Sequence, residues 1–142
     1  MTTTMQADFH QAHDRHWLDA EFLLGDQRWA NADQIYGFCV ECGLKKLMLA
    51  FGMNFDSNRD MPASSDDRVH ADKIWPRYEA YRCGHPAGTK YALPITNPFD
   101  DWSANQRYAT TVSFDAARTS RHQTAASQVR QLIKQAEKDG LI

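Results

Sequence analysis

The chain has 142 residues and a formal net charge of −2, with 42% hydrophobic and 24% charged residues. These values are typical of one globular domain, and they exclude binding of a polyanion through overall positive charge alone. Three cysteines are too few for a disulfide framework, and Glu41, Lys45 and Lys46 interrupt the longest apolar stretch, which argues against a membrane span. We therefore expect one cytoplasmic domain over residues 1–142, with a core at about 7–140.

The first half of the chain contains two helical patterns. Apolar residues recur at three- and four-residue steps from Ala7 to Leu24, and Gly25 and Asp26 follow as turn residues. The second helix is predicted from Asn31 to Phe51, and its apolar residues cover several faces. A helix of that kind is usually surrounded by other elements.

Two features inside the second helix predict its packing. Glu41 and Lys45 are four residues apart with the acid first, the favourable order for a helical ion pair. Gly43 lowers helix propensity, so we expect a neighbouring backbone to approach closely there. This helix is therefore predicted to support packing and dimer formation rather than to carry a site.

The second half of the chain contains two further helical patterns. The polar segment 53–68 is predicted to be a mobile loop, and a third helix is expected from Val69 to Arg82 with Pro76 inside it. A final helix is expected from Asp115 to Asp139, with Gly140 after its end.

The connection between these last two helices is predicted to be ordered. Residues 83–97 read as a surface connection, and Ser103 is placed to cap a short helix that extends through Tyr108. No segment alternates convincingly enough to predict a strand. The fold class is therefore predicted to be all-α, a four- to five-helix up-and-down bundle.

Two groups of residues could bind a metal ion by composition. Cys39, Cys42, Cys83 and His85 match the ligand count of a structural zinc site, but the first two lie within a helix, where free cysteine behaves as a small hydrophobe. His10, His13 and His16 follow at three-residue steps, which drift around a helix by about 60° each, and are expected to be solvated or to pack against a loop. We predict neither a metal nor a cofactor.

Arg118 and His122 are the candidate catalytic residues. They lie four residues apart near the start of the last helix and so project from one face. An arginine beside a histidine can bind a phosphate and move a proton, as cleavage of RNA through its own 2′-hydroxyl requires, although an exposed polar helix face gives the same pattern. Arg107, Tyr108 and Arg121 are the candidate binding residues.

The second helix resembles a characteristic segment of HEPN domains. It reads Asn31 to Met48 as NADQIYGFCVECGLKKLM, similar to the Val-Glu-x-x-Leu-Lys core of those domains. The His70-led third helix and the Gln106-Arg107-Tyr108 turn match other HEPN features in the same order. The resemblance covers about residues 10–138.

The resemblance implies a helical bundle that often forms homodimers and is associated with RNA cleavage, toxin–antitoxin pairs and phage defence, often beside a nucleotidyltransferase partner. Active HEPN ribonucleases carry an arginine followed, after four to six residues, by a histidine. Only three residues separate Arg118 from His122. A non-catalytic module that binds RNA, a nucleotide or a partner protein is therefore ranked ahead of a metal-independent ribonuclease.

A third interpretation is a bundle that binds a small molecule. The aromatic residues Trp75, Tyr78, Phe99 and Trp102 could line an apolar pocket, although such residues more often fill a core. A large apolar pocket beside them would favour this interpretation.

Overall fold

Four α-helices dominate the computed structural model, which describes residues 4–94 and 96–142. They are α1 (Phe9–Gly25), α2 (Trp29–Ala50), α3 (Ala71–Cys83) and α4 (Ala116–Lys138). The predicted all-α helical bundle is confirmed. None of the helices in the described part is long and apolar enough to cross a membrane.

Helix α2 is the centre of the bundle. It packs against α1, α3 and α4, and more than half of its 22 residues are buried. The apolar residues on several of its faces explain this position, because each face is covered by a different helix. The prediction of a buried second helix is correct, and the polar residues that lie in its covered faces become important for the site.

The helix boundaries differ from the predicted ones by about two residues. Asp8 and Asp115 precede α1 and α4 as N-caps, and each side chain accepts a hydrogen bond from the backbone N–H three residues later. Helix α2 begins at Trp29 rather than Asn31, because the chain reverses within three residues with Gln27 at a φ of 58°.

The segment 53–68 contains a short hairpin that the sequence did not predict. Strand β1 (Phe55–Asp56) pairs with strand β2 (Met61–Pro62) in antiparallel register. Two residues per strand are too few to show an alternating pattern, which is why the expectation of no strand was wrong. The mobility of this segment stays a prediction.

Pro76 helps to position the segment that reaches the candidate site. Helix α3 continues through Pro76, which has no N–H to donate to the carbonyl of Asp72, four residues earlier. The side-chain amide of Asn97 donates to that carbonyl at 2.8 Å instead. Segment 97–102 is thereby tied to α3.

A 3-10 helix follows this segment at Ala104–Tyr108. Ser103 and Gln106 form a capping box at its start, so the predicted capping role of Ser103 is correct. The box also fixes Gln106 at the edge of α2.

The two predictions made inside α2 have different outcomes. Lys45 Nζ donates to Glu41 Oε2 at 2.9 Å, so the predicted ion pair is present, although both side chains are largely buried. A Cβ atom at Gly43 would lie 2.7 Å from His13 Nδ1 and 2.8 Å from a methyl carbon of Val129. The close approach at Gly43 therefore comes from side chains of α1 and α4, not from a neighbouring backbone.

Candidate functional site

His122 lies buried between two carboxylates. Its side chain has no exposed surface, with Nδ1 2.5 Å from Asp33 Oδ1 and Nε2 2.7 Å from Asp101 Oδ1. The imidazolium form can donate to both carboxylates at once. The ring of Phe99 stacks on the imidazole, with 4.6 Å between centroids and 15° between planes.

Arg118 joins the same two carboxylates from one turn earlier in α4. Its Nε is 3.4 Å from Asp33 Oδ2, and its terminal nitrogens donate to the carbonyl oxygen of Asp101 at 2.6 Å and to the Asp101 carboxylate at 3.3 Å. The predicted pair on one helix face is therefore brought together, but through shared acidic partners.

Gln106 completes this group, which we call the Asp33 network: Asp33, Asp101, Gln106, Arg118 and His122. Its Nε2 donates to Asp33 Oδ2 at 2.7 Å, and its Oε1 lies 3.3 Å from an Arg118 nitrogen. The carboxylates of Asp33 and Asp101 are thus held by donors from Arg118, His122 and Gln106. Buried charges are tolerated where they are paired and hydrogen-bonded in this way.

Asp101 is the most accessible acid of the network. Partial burial opposes its ionisation, but the hydrogen bonds from His122 and Arg121 and the positive charge of Arg118 hold the pKa of its carboxyl below the ordinary value. About a third of its side chain is exposed to solvent, whereas Asp33 is fully buried. Asp101 thus closes the network on the solvent side.

Trp102 anchors the segment that carries Asp101. Its indole N–H donates to the backbone carbonyl of Asp33 at 3.1 Å, and its ring fills the space where Gly37 has no side chain. A Cβ atom at residue 37 would lie only 2.1 Å from the ring. The glycine is thus a notch in α2 that receives Trp102.

The candidate binding residues lie at the surface. The guanidinium of Arg107 sits 4.5 Å from the ring centroid of Tyr108, a side chain that is 77% exposed. Arg121 is also exposed and approaches the Asp101 carboxylate at 3.2 Å. Arg121 therefore touches the network, whereas the Arg107–Tyr108 pair stands free of it.

A second carboxylate–histidine pair lies on α2, and sequence reasoning did not connect it. Glu41 Oε1 is 2.7 Å from His70 Nδ1, while its other oxygen accepts from Lys45. The ring of His70 lies 6.5 Å from that of Trp102. This group links the start of α3 to α2, and the regular Glu41–Lys45 spacing was its only signal in the sequence.

The histidines and cysteines considered for metal binding occupy different environments. His13 is buried in the core, not solvated or packed on a loop as expected, and Cys39 is buried beside it. Cys83 is exposed at the end of α3. Within the described residues, no three His, Cys, Asp or Glu side chains are grouped to hold a metal ion.

The aromatic residues considered for a small-molecule pocket fill the core. Trp75, Tyr78, Phe99 and Trp102 are each 2% exposed or less. The Trp75 indole donates to the carbonyl of Pro94 and the Tyr78 hydroxyl to that of Tyr91. Their polar ends are thus satisfied within the protein, as is usual for packing residues.

Three residues of the Asp33 network were not among the predicted site residues: Asp33, Asp101 and Gln106. An acid within the apolar second helix was the one available signal, because a buried carboxylate needs a partner. That partner is 89 positions away in the sequence.

The chain matches no protein-family model, and neither a curated protein nor a solved structure was found to resemble it.

Proposed function

We propose that this protein is a HEPN-like, non-catalytic binding module that acts as a homodimer on RNA or a nucleotide in the cytoplasm. The observation that carries the proposal is the engagement of Arg118 and His122 within the fold. Both nitrogens of His122 and all three of Arg118 have acceptors inside the Asp33 network. The context proposed for it is phage defence or a toxin–antitoxin pair with a nucleotidyltransferase partner.

Electrostatics favours a structural role, rather than a catalytic one, for Arg118 and His122. A phosphate that approached Arg118 would meet the carboxylates of Asp33 and Asp101, which already neutralise the guanidinium. Catalysis on RNA would need a free arginine for the phosphate and a free imidazole nitrogen for the proton. The same atoms instead hold segment 97–102 against α2 and α4.

The Arg107–Tyr108 pair is the proposed contact for RNA or a nucleotide. An exposed aromatic ring beside a guanidinium is suited to stack a base, and stacking contributes about 1–3 kcal/mol per base. The net charge of −2 offers little long-range attraction, so we expect binding with a shallow dependence on salt.

RNA cleavage and RNA binding are tested with the same purified protein. Incubation with tRNA and total RNA is expected to leave the RNA intact, and cleavage lost in a folded Arg118→Lys variant would overturn the non-catalytic proposal. In titrations with labelled RNA or ATP, Tyr108→Ala is expected to weaken binding by about fivefold or more. Val112→Ala is the matched control, because Val112 is 92% exposed and carries no ring.

A metal-independent ribonuclease is the second candidate. Its support is that Arg118 and His122 share the carboxylates of Asp33 and Asp101, so release of Asp101 would expose His122 Nε2 while Asp33 still held Nδ1. This candidate predicts that Asp101→Ala creates or increases RNA cleavage. The leading proposal predicts intact RNA with that variant, provided that circular dichroism shows it to be folded.

A further inference from the structure

The outer face of α1 carries two large apolar side chains in water. Leu18 is 64% exposed and Phe22 77% exposed, and they lie one turn apart on the side opposite the buried His13 and Ala20. Single exposed apolar residues are ordinary, but an adjacent pair in the middle of a helix forms a small patch that gains free energy when covered.

Opposite charges stand at the two ends of this patch, and a further exposed acid, Asp19, lies beside it. Arg15 lies one turn before Leu18 on the same face, and Asp26 follows Phe22 by one turn at the end of the helix. Both residues are exposed, and neither has an ion-pair partner among the residues that the structure describes. We call Arg15, Leu18, Phe22 and Asp26 the α1 stripe.

The order of residues in the α1 stripe makes it complementary to itself. The midpoint between positions 18 and 22 is 20, and the midpoint between positions 15 and 26 is 20.5. The two midpoints differ by half a residue, which is about 0.75 Å along a helix. A two-fold axis at that level, relating two antiparallel copies of α1, would therefore place apolar side chains against apolar ones and Arg15 against Asp26.

We propose that a second copy of this chain packs on the α1 stripe, with the two α1 helices antiparallel. Leu18 contacts the partner's Phe22, and Arg15 pairs with the partner's Asp26, each contact occurring twice by symmetry. This inference rests on the homodimer of the proposed function and names its surface. Helix α2 was predicted to support dimer formation, and its burial within the chain leaves the contact surface itself to another helix.

The small size of the stripe sets the expected strength of association. Stable dimers bury about 800 Å² on each partner, more than one helix face provides. The dimer should therefore form in a concentration-dependent equilibrium with the monomer. Charge pairs at its rim would determine the relative orientation of the two copies more than the affinity.

Sedimentation equilibrium of the full-length protein tests the surface. The wild type is expected to show a monomer–dimer equilibrium, and Phe22→Glu is expected to be monomeric at every concentration. Arg15→Asp should weaken the dimer by about tenfold, since it places like charges together at two symmetric positions. The double variant Arg15→Asp with Asp26→Arg should restore it, while Val112→Glu should leave it unchanged.

Each contrary result overturns a defined part of the inference. A dimer that Phe22→Glu leaves intact shows association through another surface, so the α1 stripe fails while the proposed homodimer stands. A wild type that is monomeric throughout overturns both. A double variant that stays as weak as Arg15→Asp overturns the antiparallel register. The RNA assays do not depend on these results, so the proposed binding function is judged separately.

Discussion

Asp33 is the residue on which the arrangement of the candidate site depends. It is fully buried, yet its carboxylate accepts hydrogen bonds from His122, Arg118 and Gln106, which come from α4 and the 3-10 helix. Buried ion pairs add little net stability compared with apolar packing, but removal of one partner leaves the others uncompensated. The chief effect of Asp33 is therefore specificity: other arrangements of α2, α4 and segment 97–102 would leave these polar groups unpaired and are higher in free energy.

We predict that Asp33→Asn destabilises the protein by about 3 kcal/mol, because the buried His122 and the guanidinium of Arg118 lose the carboxylate that both contact. Urea unfolding at neutral pH measures the change in the free energy of unfolding. Asp19→Asn is the control: Asp19 is exposed and has no ion pair within the described chain, so a change below about 0.5 kcal/mol is expected. Equal effects of the two substitutions would show that the network does not hold the fold.

His13 is a second buried histidine, with a different chemistry. Burial lowers its pKa to about 4, although the hydrogen bond to the carbonyl of Cys39 opposes the shift, and Arg130, Asp14 and His10 are the nearby charged groups. Nδ1 lies 2.8 Å from that carbonyl, so it carries the proton of the neutral ring, and Nε2 is buried with no hydrogen-bond partner in the described part of the chain. The neutral form is thus the one that fits the core.

The pKa of His13 predicts a loss of stability in mild acid. The unfolded chain takes up this proton near pH 6.5 and the folded chain only near pH 4, so the free energy of unfolding falls as the pH drops through that window. The loss from this group is about 2 kcal/mol at pH 5 and about 3 kcal/mol below pH 4. Urea unfolding of the wild type and of His13→Leu at pH 7 and pH 5 isolates it.

In His13→Leu, the contribution of His13 to the pH dependence of the free energy of unfolding should be absent. The variant is expected to be less stable at pH 7, because the carbonyl of Cys39 loses its donor. The measured quantity is therefore the change between the two pH values and not the stability at either one. Parallel pH dependences in the two proteins would contradict the assignment.

At the scale of elements, the contact between α2 and segment 97–102 depends on Gly37, because the absence of a side chain there leaves room for Trp102. Trp102 occupies the notch at Gly37, Phe99 covers His122, and Asn97 is bound to the start of α3. Asp101 lies between these anchors, so its position beside His122 follows from them. The segment contributes more to the site than its irregular backbone suggests.

We predict that Gly37→Ala displaces Trp102 and destabilises the protein by about 2 kcal/mol. Alanine favours a helix over glycine by about 1 kcal/mol, so only the steric conflict with Trp102 can give a net loss. Hydrogen exchange of the Trp102 indole N–H, followed by NMR, measures the release of its bond to Asp33. Gly25→Ala is the control, since none of the described residues comes within 4 Å of the added carbon. If the Trp102 indole N–H of Gly37→Ala stayed protected from exchange, the close fit of Trp102 against Gly37 would be refuted.

The sequence predicted helices better than it predicted contacts between them. Helical spacing located α2 and α4 because burial of a helix face leaves a local periodic pattern. The Glu41–Lys45 pair was predictable for the same reason, being one turn apart. The partners of His122, the notch at Gly37 and the burial of His13 depend on residues far apart in the chain, and no local pattern specifies such a pairing.

At the scale of the whole molecule, α1 and α4 are joined through polar side chains. Arg130 donates to Asp14 at 2.8 Å, Gln123 donates to Glu21 at 2.9 Å, and the His10 ring lies 2.8 Å from Glu137. Helix α1 is thus held by apolar contacts with α2 on one side and by these bonds on another. Its outer face, with Leu18 and Phe22, is left exposed among the residues that the structure describes.

The α1 stripe gives the stability of the whole protein a dependence on its concentration. A dimer that forms only from folded chains stabilises them by mass action, so the unfolding temperature should rise with concentration. Between about 5 and about 500 µM we expect a gain on the order of 1 kcal/mol, equivalent to about 3 °C. Differential scanning calorimetry at both concentrations measures it. Phe22→Glu should unfold at one temperature throughout, and a wild type that did the same would exclude association through α1 in this range.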